Sequence, residues 1–309
     1  MSKFINYDVN AVRVELSSDG TEEDDYLGMD IYNNMDDNMN DGNWSDNMED
    51  CIFVKRIDCW NDTVKICKLM EPPSLKSEKV IYNNVLFTKK HDKSNIRFYN
   101  KDCIDLALSM IDLNPLVLNL SDDVYAGGWV SSGSEAQEES IFRRTNYFQS
   151  LLQNMYPIQP NEAIYSPGIS VIKKSEKENW EIIPTNEIQK LDFVAIPGLK
   201  YPETITVNNE KRLFDRDVEI LKKKIKLIFQ VAVKNNHDTI ILGAIGCGVW
   251  GSPRKHVAEI FKEVLEELDG FVLNYYFAIM TTNDDNTDHN KDKIPTIDIF
   301  TEVFNIEEC

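Results

Sequence analysis

Short, continuous apolar runs recur along the second half of the chain, and the segments between them are patterned as helices. Leu116–Leu120 is the clearest run, with the length and composition of a strand buried on both faces. His237–Ile245 and Phe271–Met280 repeat the pattern, and Leu191–Ile196, Ala163–Tyr165, Ser170–Lys173, Trp180–Ile183 and Ile96–Tyr99 read as further strands. The intervening helices are expected at Asp102–Ile111, with Asp102 as N-cap, from about Ser134 to Met155, at Lys211–Lys234, and at Pro253–Leu268, with proline in the first turn. Strand alternating with helix predicts an α/β fold, a sheet with helices on both faces. Upstream the pattern is weaker. Residues 51–57 suit either a strand or the start of a helix, Pro72 and Pro73 break the chain, and Val80–Lys89 reads as strand and turn. No repeat of solenoid period is present.

Charge divides the chain. Of 52 acidic and 33 basic residues, 14 acidic and 2 basic fall in residues 1–50, where Asp, Asn and Met dominate from about residue 20. Such a segment has too little apolar area to offset the entropy of ordering it. We therefore expect 1–50 to be a poorly ordered acidic extension and 51–309 to be the folded unit, with its core at about 95–280. A net charge of -19 argues against direct binding to a nucleic-acid backbone, which needs clustered Lys and Arg. A nucleotide ligand stays open, because backbone N–H groups at a helix start hold a pyrophosphate without net positive charge. No apolar run is long enough to span a membrane, and no basic-then-apolar leader is evident. The six cysteines form no CxxC pair and the four histidines are scattered, so neither a disulfide framework nor a zinc site is expected. The simplest reading is a reduced intracellular protein, cytoplasmic or nuclear, acting as a monomer.

Two loops follow buried strands and precede helices, which is where open α/β sheets bind ligands. The first runs from Ser121 to Glu139 and contains Gly127-Gly128, then Gly133, then Gln137-Glu138-Glu139. Read blandly, it is a glycine turn followed by an acidic helix start, where negative charge is favourable. The second, Gly243–Gly251, carries Gly246, Gly248 and Gly251 at GxGxxG spacing. A dinucleotide fold would also want an acidic residue after the next strand, and Asp284 sits late for that role. What the second loop offers on its own is glycine-rich backbone N–H suited to a pyrophosphate, or simply a tight turn packed on Trp250.

Taken together, the two loops resemble the microbial-type poly(ADP-ribose) glycohydrolases, a branch of the macrodomain fold. That family carries a GGG-x(6–8)-QEE loop and a later Gly-Ala-x-Gly-Cys-Gly-Val-aromatic loop. Here the counterparts are Gly127-Gly128-Trp129, seven residues, then Gln137-Glu138-Glu139, and Gly243 to Trp250. Tyr165-Ser166-Pro167 and Ile196-Pro197 resemble further family segments. The third glycine is missing, with either Trp129 in its place or Ala126 in place of the first, and Ser121-Asp122-Asp123 replaces the usual Asn-Ala stretch. The resemblance implies a macrodomain-like mixed sheet, no cofactor or metal, and ADP-ribose or poly(ADP-ribose), with ADP-ribosylated proteins, as the binding partners.

The resemblance also implies roles. Glu139 would protonate the leaving oxygen of the glycosidic bond and then take a proton from water, while Glu138 would bind ribose hydroxyls. Adjacent helical residues point about 100° apart, so one carboxylate doing both transfers suits the spacing better than a facing pair. Gly127, Gly128, Gln137 and Asp122 would line the ribose and diphosphate. Gly246, Cys247, Gly248 and Val249 would offer N–H groups to the diphosphate, and Trp250 would pack on ribose or adenine. Cys247 lacks a neighbouring base and is not expected to be a nucleophile. Arg143 is expected to point away from Glu139, and His256 to serve the helix surface or a cap. Two other readings remain: an ADP-ribose reader without turnover, and a nicotinamide-dinucleotide module built on Gly246 to Gly251.

Overall fold

The computed structural model describes residues 51–84, 87–281 and 294–309. The acidic segment 1–50, part of the Val80–Lys89 strand and turn, and Asp284 lie outside these residues. In chain order the elements are α1 (Ile52–Cys67), β1 (Glu78–Ile81), β2 (Asn95–Tyr99), α2 (Cys103–Ser109), β3 (Pro115–Leu120), α3 (Gln137–Arg144), β4 (Glu162–Val171), β5 (Gln189–Ile196), β6 (Thr204–Val207), β7 (Glu210–Leu213), α4 (Asp215–Lys234), β8 (Thr239–Leu242), α5 (Arg254–Glu267), β9 (Asn274–Ala278) and α6 (Thr296–Phe304).

Seven strands form one mixed sheet in the order β1-β4-β5-β3-β8-β9-β2, and β6 and β7 form a separate hairpin. Strand β4 runs antiparallel to both its neighbours, and the remaining pairs are parallel. The central strands β5, β3 and β8 therefore end on one edge, and the loops after them are neighbours.

Alternation along the strands sorts side chains to two cores. Val117, Phe193 and Ile241 pack against Trp60 of α1, Leu106 of α2, and Ile141 and Phe142 of α3. Leu116, Leu118, Val194 and Ile240 pack against Leu221 and Ile228 of α4, Val257 and Phe261 of α5, and Phe300 of α6. Helices thus cover both faces, as continuous apolar strands require. Packing also reaches past the 95–280 span, since α1 and α6 both contribute to the cores.

Several boundaries differ from the sequence reading. The ambiguous residues 51–57 open a helix. Asp102 does cap its helix, accepting N–H from Ile104 (2.8 Å) and Asp105 (3.1 Å). The helix expected to reach Met155 runs only from Gln137 to Arg144. Thr145 is extended and bridges Val171, and the buried Arg144 guanidinium turns inward to Asp102 (2.6 Å) and Asp105. Two single 3-10 turns occupy the stretch from there to Met155. Ala163–Tyr165 and Ser170–Val171 are parts of one strand, β4, whose register shifts between Ser166 and Ile169, and the expected strand beyond Val171 is reduced to an isolated bridge at Lys173. Trp180–Ile183 makes a single bridge, Ile182 to Lys173, and no strand. Lys211 belongs to a hairpin, and α4 starts at Asp215. Asn208 and Asn209 take positive φ (50° and 66°), the conformation a two-residue hairpin turn demands.

Candidate active site

The site grows from the last peptides of β3. Beyond Val117, where β3 and β8 stop pairing, the Gln137 side-chain amide takes over. Its Nε2 donates to Leu118 O (2.9 Å) and its Oε1 accepts from Leu120 N (2.7 Å). Gln137, read from sequence as substrate-binding, thus has both ends of its amide spent on the sheet, and it positions α3.

The next residue organises the loop. Glu138 is 2% exposed, and its carboxylate accepts from Asp122 N (2.7 Å), Gly127 N (3.2 Å) and Asn119 Nδ2 (3.2 Å). Burial pushes its pKa well above the usual carboxylate range, the Asp122, Gly127 and Asn119 donors pull it back, and the neighbouring Glu139 charge adds to the rise. These three donors tie both arms of the loop to one side chain.

Glu139 is 5% exposed, and its Oε1 accepts from Trp129 N (3.0 Å). Its other oxygen, Oε2, is buried with no hydrogen-bond partner among the described residues. Burial raises its pKa, opposed by the Trp129 N–H and by the positive charge of Arg143. No ion pair joins Glu139 to Arg143 among the described residues. Arg143 Nη1 donates instead to Ser134 O (2.6 Å), and burial together with the nearby Arg56 lowers its own pKa.

The diglycine is explained by what surrounds it. Gly127 and Gly128 have φ of +81° and +55°. A Cβ on Gly127 would lie 2.4 Å from the Phe142 ring, and one on Gly128 would lie 2.5 Å from Glu139 Oε1. Trp129 has φ of -106°, so the third position of the run needs no glycine.

Neighbouring loops complete the rim. Asp122 Oδ1 accepts from Val124 N (2.7 Å) and Tyr125 N (2.9 Å), while Oδ2 pairs with Lys200 (2.9 Å) of the loop after β5. Lys200 also pairs with Asp123 and sits 5.4 Å over the Trp250 ring. Burial would lower the Lys200 pKa, and the two aspartates hold it up instead. Asp122 is therefore committed to the loop and to Lys200 through both oxygens.

In the loop after β8, Cys247 N donates to Ala244 O (3.1 Å), so this N–H, read from sequence as a diphosphate donor, is used within the turn. The buried Cys247 thiol has its pKa pushed up to about 12, which keeps it protonated and unreactive. Gly246 N, Gly248 N and Val249 N make no hydrogen bond among the described residues, and Gly248 and Val249 are exposed. Gly246 is wedged against Gly198 and the Ser252 hydroxyl, where a Cβ would meet Oγ at 2.7 Å. His256 is buried and accepts Leu213 N through Nδ1 (2.9 Å), a capping role on β7.

Sequence reasoning misses Asn119, Lys200 and Arg56. Arg56 of α1 grips the exit of the diglycine loop, pairing with Glu135 (2.6 Å) and Glu176 (3.0 Å), while Gly133 lies against the backbone of Phe53. No local spacing marks these residues, because each acts across at least 19 positions of chain. Among the described residues no cluster of three or more His, Cys, Asp or Glu suits a metal, and no helix is long and apolar enough to cross a membrane.

Comparison with known proteins bears on this arrangement. Residues 58–174 match the family described as microbial-type PARG, catalytic domain, a span that holds the diglycine and Gln137-Glu138-Glu139 and stops short of the second glycine loop. The match covers that segment of the chain alone. Solved PARG structures share the fold. The poly(ADP-ribose) glycohydrolase of Thermomonospora curvata is 17% identical with a TM-score of 0.62, covering 81% of this chain and 100% of that one. The same enzyme bound to the inhibitor ADP-HPD gives 18% and 0.60, covering 81% and 99%. The Deinococcus radiodurans enzyme in complex with ADP-ribose gives 19% and 0.56, covering 70% and 86%. No curated protein sequence matches the chain.

Proposed function

We propose that this protein hydrolyses ADP-ribose glycosidic bonds, releasing ADP-ribose from poly(ADP-ribose), with Glu139 as the single acid and base. The observation that carries this reading is the state of Glu139: a buried carboxyl, raised in pKa, with one oxygen held by Trp129 N and the other without a hydrogen-bond partner among the described residues. Burial favours the protonated carboxyl, and a proton on Oε2 is in place for the leaving oxygen.

As the C1–O bond breaks, the proton from Oε2 goes to the departing oxygen and an oxocarbenium-like ribose forms. The ionised carboxylate then accepts a proton from the attacking water, whose oxygen bonds to C1. Glu138 fixes the loop, and its Oε2, with one of its two lone pairs taken by Asp122 N, keeps one for a ribose hydroxyl. The unengaged N–H groups of Gly246, Gly248 and Val249 suit a diphosphate, and Trp250 suits the ribose or adenine beside it.

The arrangement favours turnover over a reader role. Gly127 and Gly128 are the positions whose φ and surroundings demand glycine, so Trp129 does not disrupt the run. The test is Glu139→Gln, which keeps the shape and removes the acid. Wild type should shorten poly(ADP-ribose), and the variant should lose activity by about 10²–10⁴-fold while binding ADP-ribose as before. Wild type that binds ADP-ribose and leaves the polymer intact would refute the hydrolase reading.

A further inference from the structure

Strands β5 and β8 flank β3 and do not pair with each other, so the loop after β5 must reach across the end of β3 to meet the loop after β8. It does reach across. Gly198 has no room for a side chain, since a Cβ there would lie 3.0 Å from the Gly246 backbone and 3.0 Å from the Trp250 ring. Three residues on, Tyr201 N donates to Trp250 O (3.1 Å), and Tyr201 takes a φ of +47°, an uncommon conformation for a bulky residue.

Lys200 sits within this crossing, and its ammonium meets both other loops. It pairs with Asp122 (2.9 Å) and Asp123 after β3, and it lies 5.4 Å from the centroid of the Trp250 ring after β8. An ion pair on an open surface contributes little. Here both partners are themselves tied to the site. Asp122 is 8% exposed, its Oδ1 accepts Val124 N and Tyr125 N, and its own N–H donates to Glu138 (2.7 Å). Trp250 directly follows Gly248 and Val249, whose unengaged N–H groups suit the diphosphate.

Charge gives the lysine a second task. No other basic side chain forms an ion pair with Asp122 or Asp123 among the described residues. Without the ammonium, two carboxylates would face each other and a ligand that carries a diphosphate.

We propose that Lys200 is a positioning residue that couples the diglycine loop to the loop after β8, fixing Asp122 and the Glu138 anchor on one side and the Trp250 ring on the other. The coupling rests on the hydrolase reading above for its effect on turnover, and its test separates the two. Lys200→Met keeps the stem and removes the charge, whereas Lys200→Arg keeps the charge and can pair with both aspartates. In polymer hydrolysis Lys200→Met should lower kcat about tenfold, part of the ~100-fold that a 1 Å misplacement costs. In calorimetric titration on the Glu139→Gln background it should weaken ADP-ribose binding about three- to fivefold, the scale of coupling carried by one packed contact. Lys200→Arg should recover most of both losses, and the urea midpoint should move little. The kcat effect should vanish in an Asp122→Asn background, and the binding effect in a Trp250→Leu background, because a clamp acts only through its partners. Values for Lys200→Met within twofold of its parent, effects that persist undiminished in both backgrounds, or a kcat loss matched by a fall in the urea midpoint overturn the coupling. Wild type that leaves the polymer intact would instead overturn the hydrolase reading, and the Trp250 cycle on ADP-ribose binding would still decide whether Lys200 acts through that ring.

Discussion

Gly128→Ala tests whether the position of Glu139 matters as the geometry implies. The new methyl would arrive 2.5 Å from Glu139 Oε1, whereas ordinary contact begins at 3.4 Å, so the carboxyl must retreat by about 1 Å. That retreat weakens its bond to Trp129 N, and hydrogen bonds to charged or chargeable groups are worth about 1.5–3 kcal/mol. Alanine at φ of +55° adds about 1–2 kcal/mol of backbone strain. The expected loss of stability is about 2–5 kcal/mol, read as a lower urea midpoint at unchanged slope. The expected loss of polymer hydrolysis is about 10²-fold in kcat, the scale of a 1 Å misplacement of a reacting group. The paired assays are urea denaturation monitored by fluorescence and release of ADP-ribose from polymer at a temperature where both proteins are folded. A folded Gly128→Ala variant with activity within about threefold of wild type would refute the argument, because the acid would then tolerate displacement.

Because burial raises the Glu139 pKa, the proton-donating form is present below that raised value and disappears as pH climbs through it. A profile of kcat/KM against pH should therefore fall on its alkaline limb, and a rate that keeps rising well above neutrality would exclude Glu139 as the acid. Cys247→Ala should retain polymer hydrolysis within a few-fold, since its buried thiol stays protonated, and loss of all activity in a folded variant would reopen the nucleophile reading.

The parts of this structure visible in the sequence are those governed by short-range pattern. Leu116–Leu120 reads as a buried strand because helices cover both sides of it. Gln137-Glu138-Glu139 stands out because three polar residues open a helix beside a diglycine. Helix α3 is shorter than its sequence suggests, because Arg143 and Arg144 look like surface residues of a continuing helix. In the structure both are buried, one on Ser134 and one on Asp102 and Asp105. The hairpin β6–β7 is masked by its charged residues, which suggest the first turn of α4. Lys200, Asn119 and Arg56 reach the site only through tertiary contact, and nothing in their neighbourhoods signals that. The same holds for Cys247, whose N–H turns back on Ala244 in a way that spacing cannot reveal.

Standing in for a peptide group at the end of β3, the Gln137 amide fixes the rotational phase of the helix that starts there. Successive helical residues are about 100° apart, so a helix advanced by one residue would carry Glu138 into the place of Glu139. The side chain that contributes nothing to proton transfer thus works as an index pin. By gripping Leu118 and Leu120, it selects which of two identical neighbours meets Asp122 and Gly127 and which meets Trp129 N.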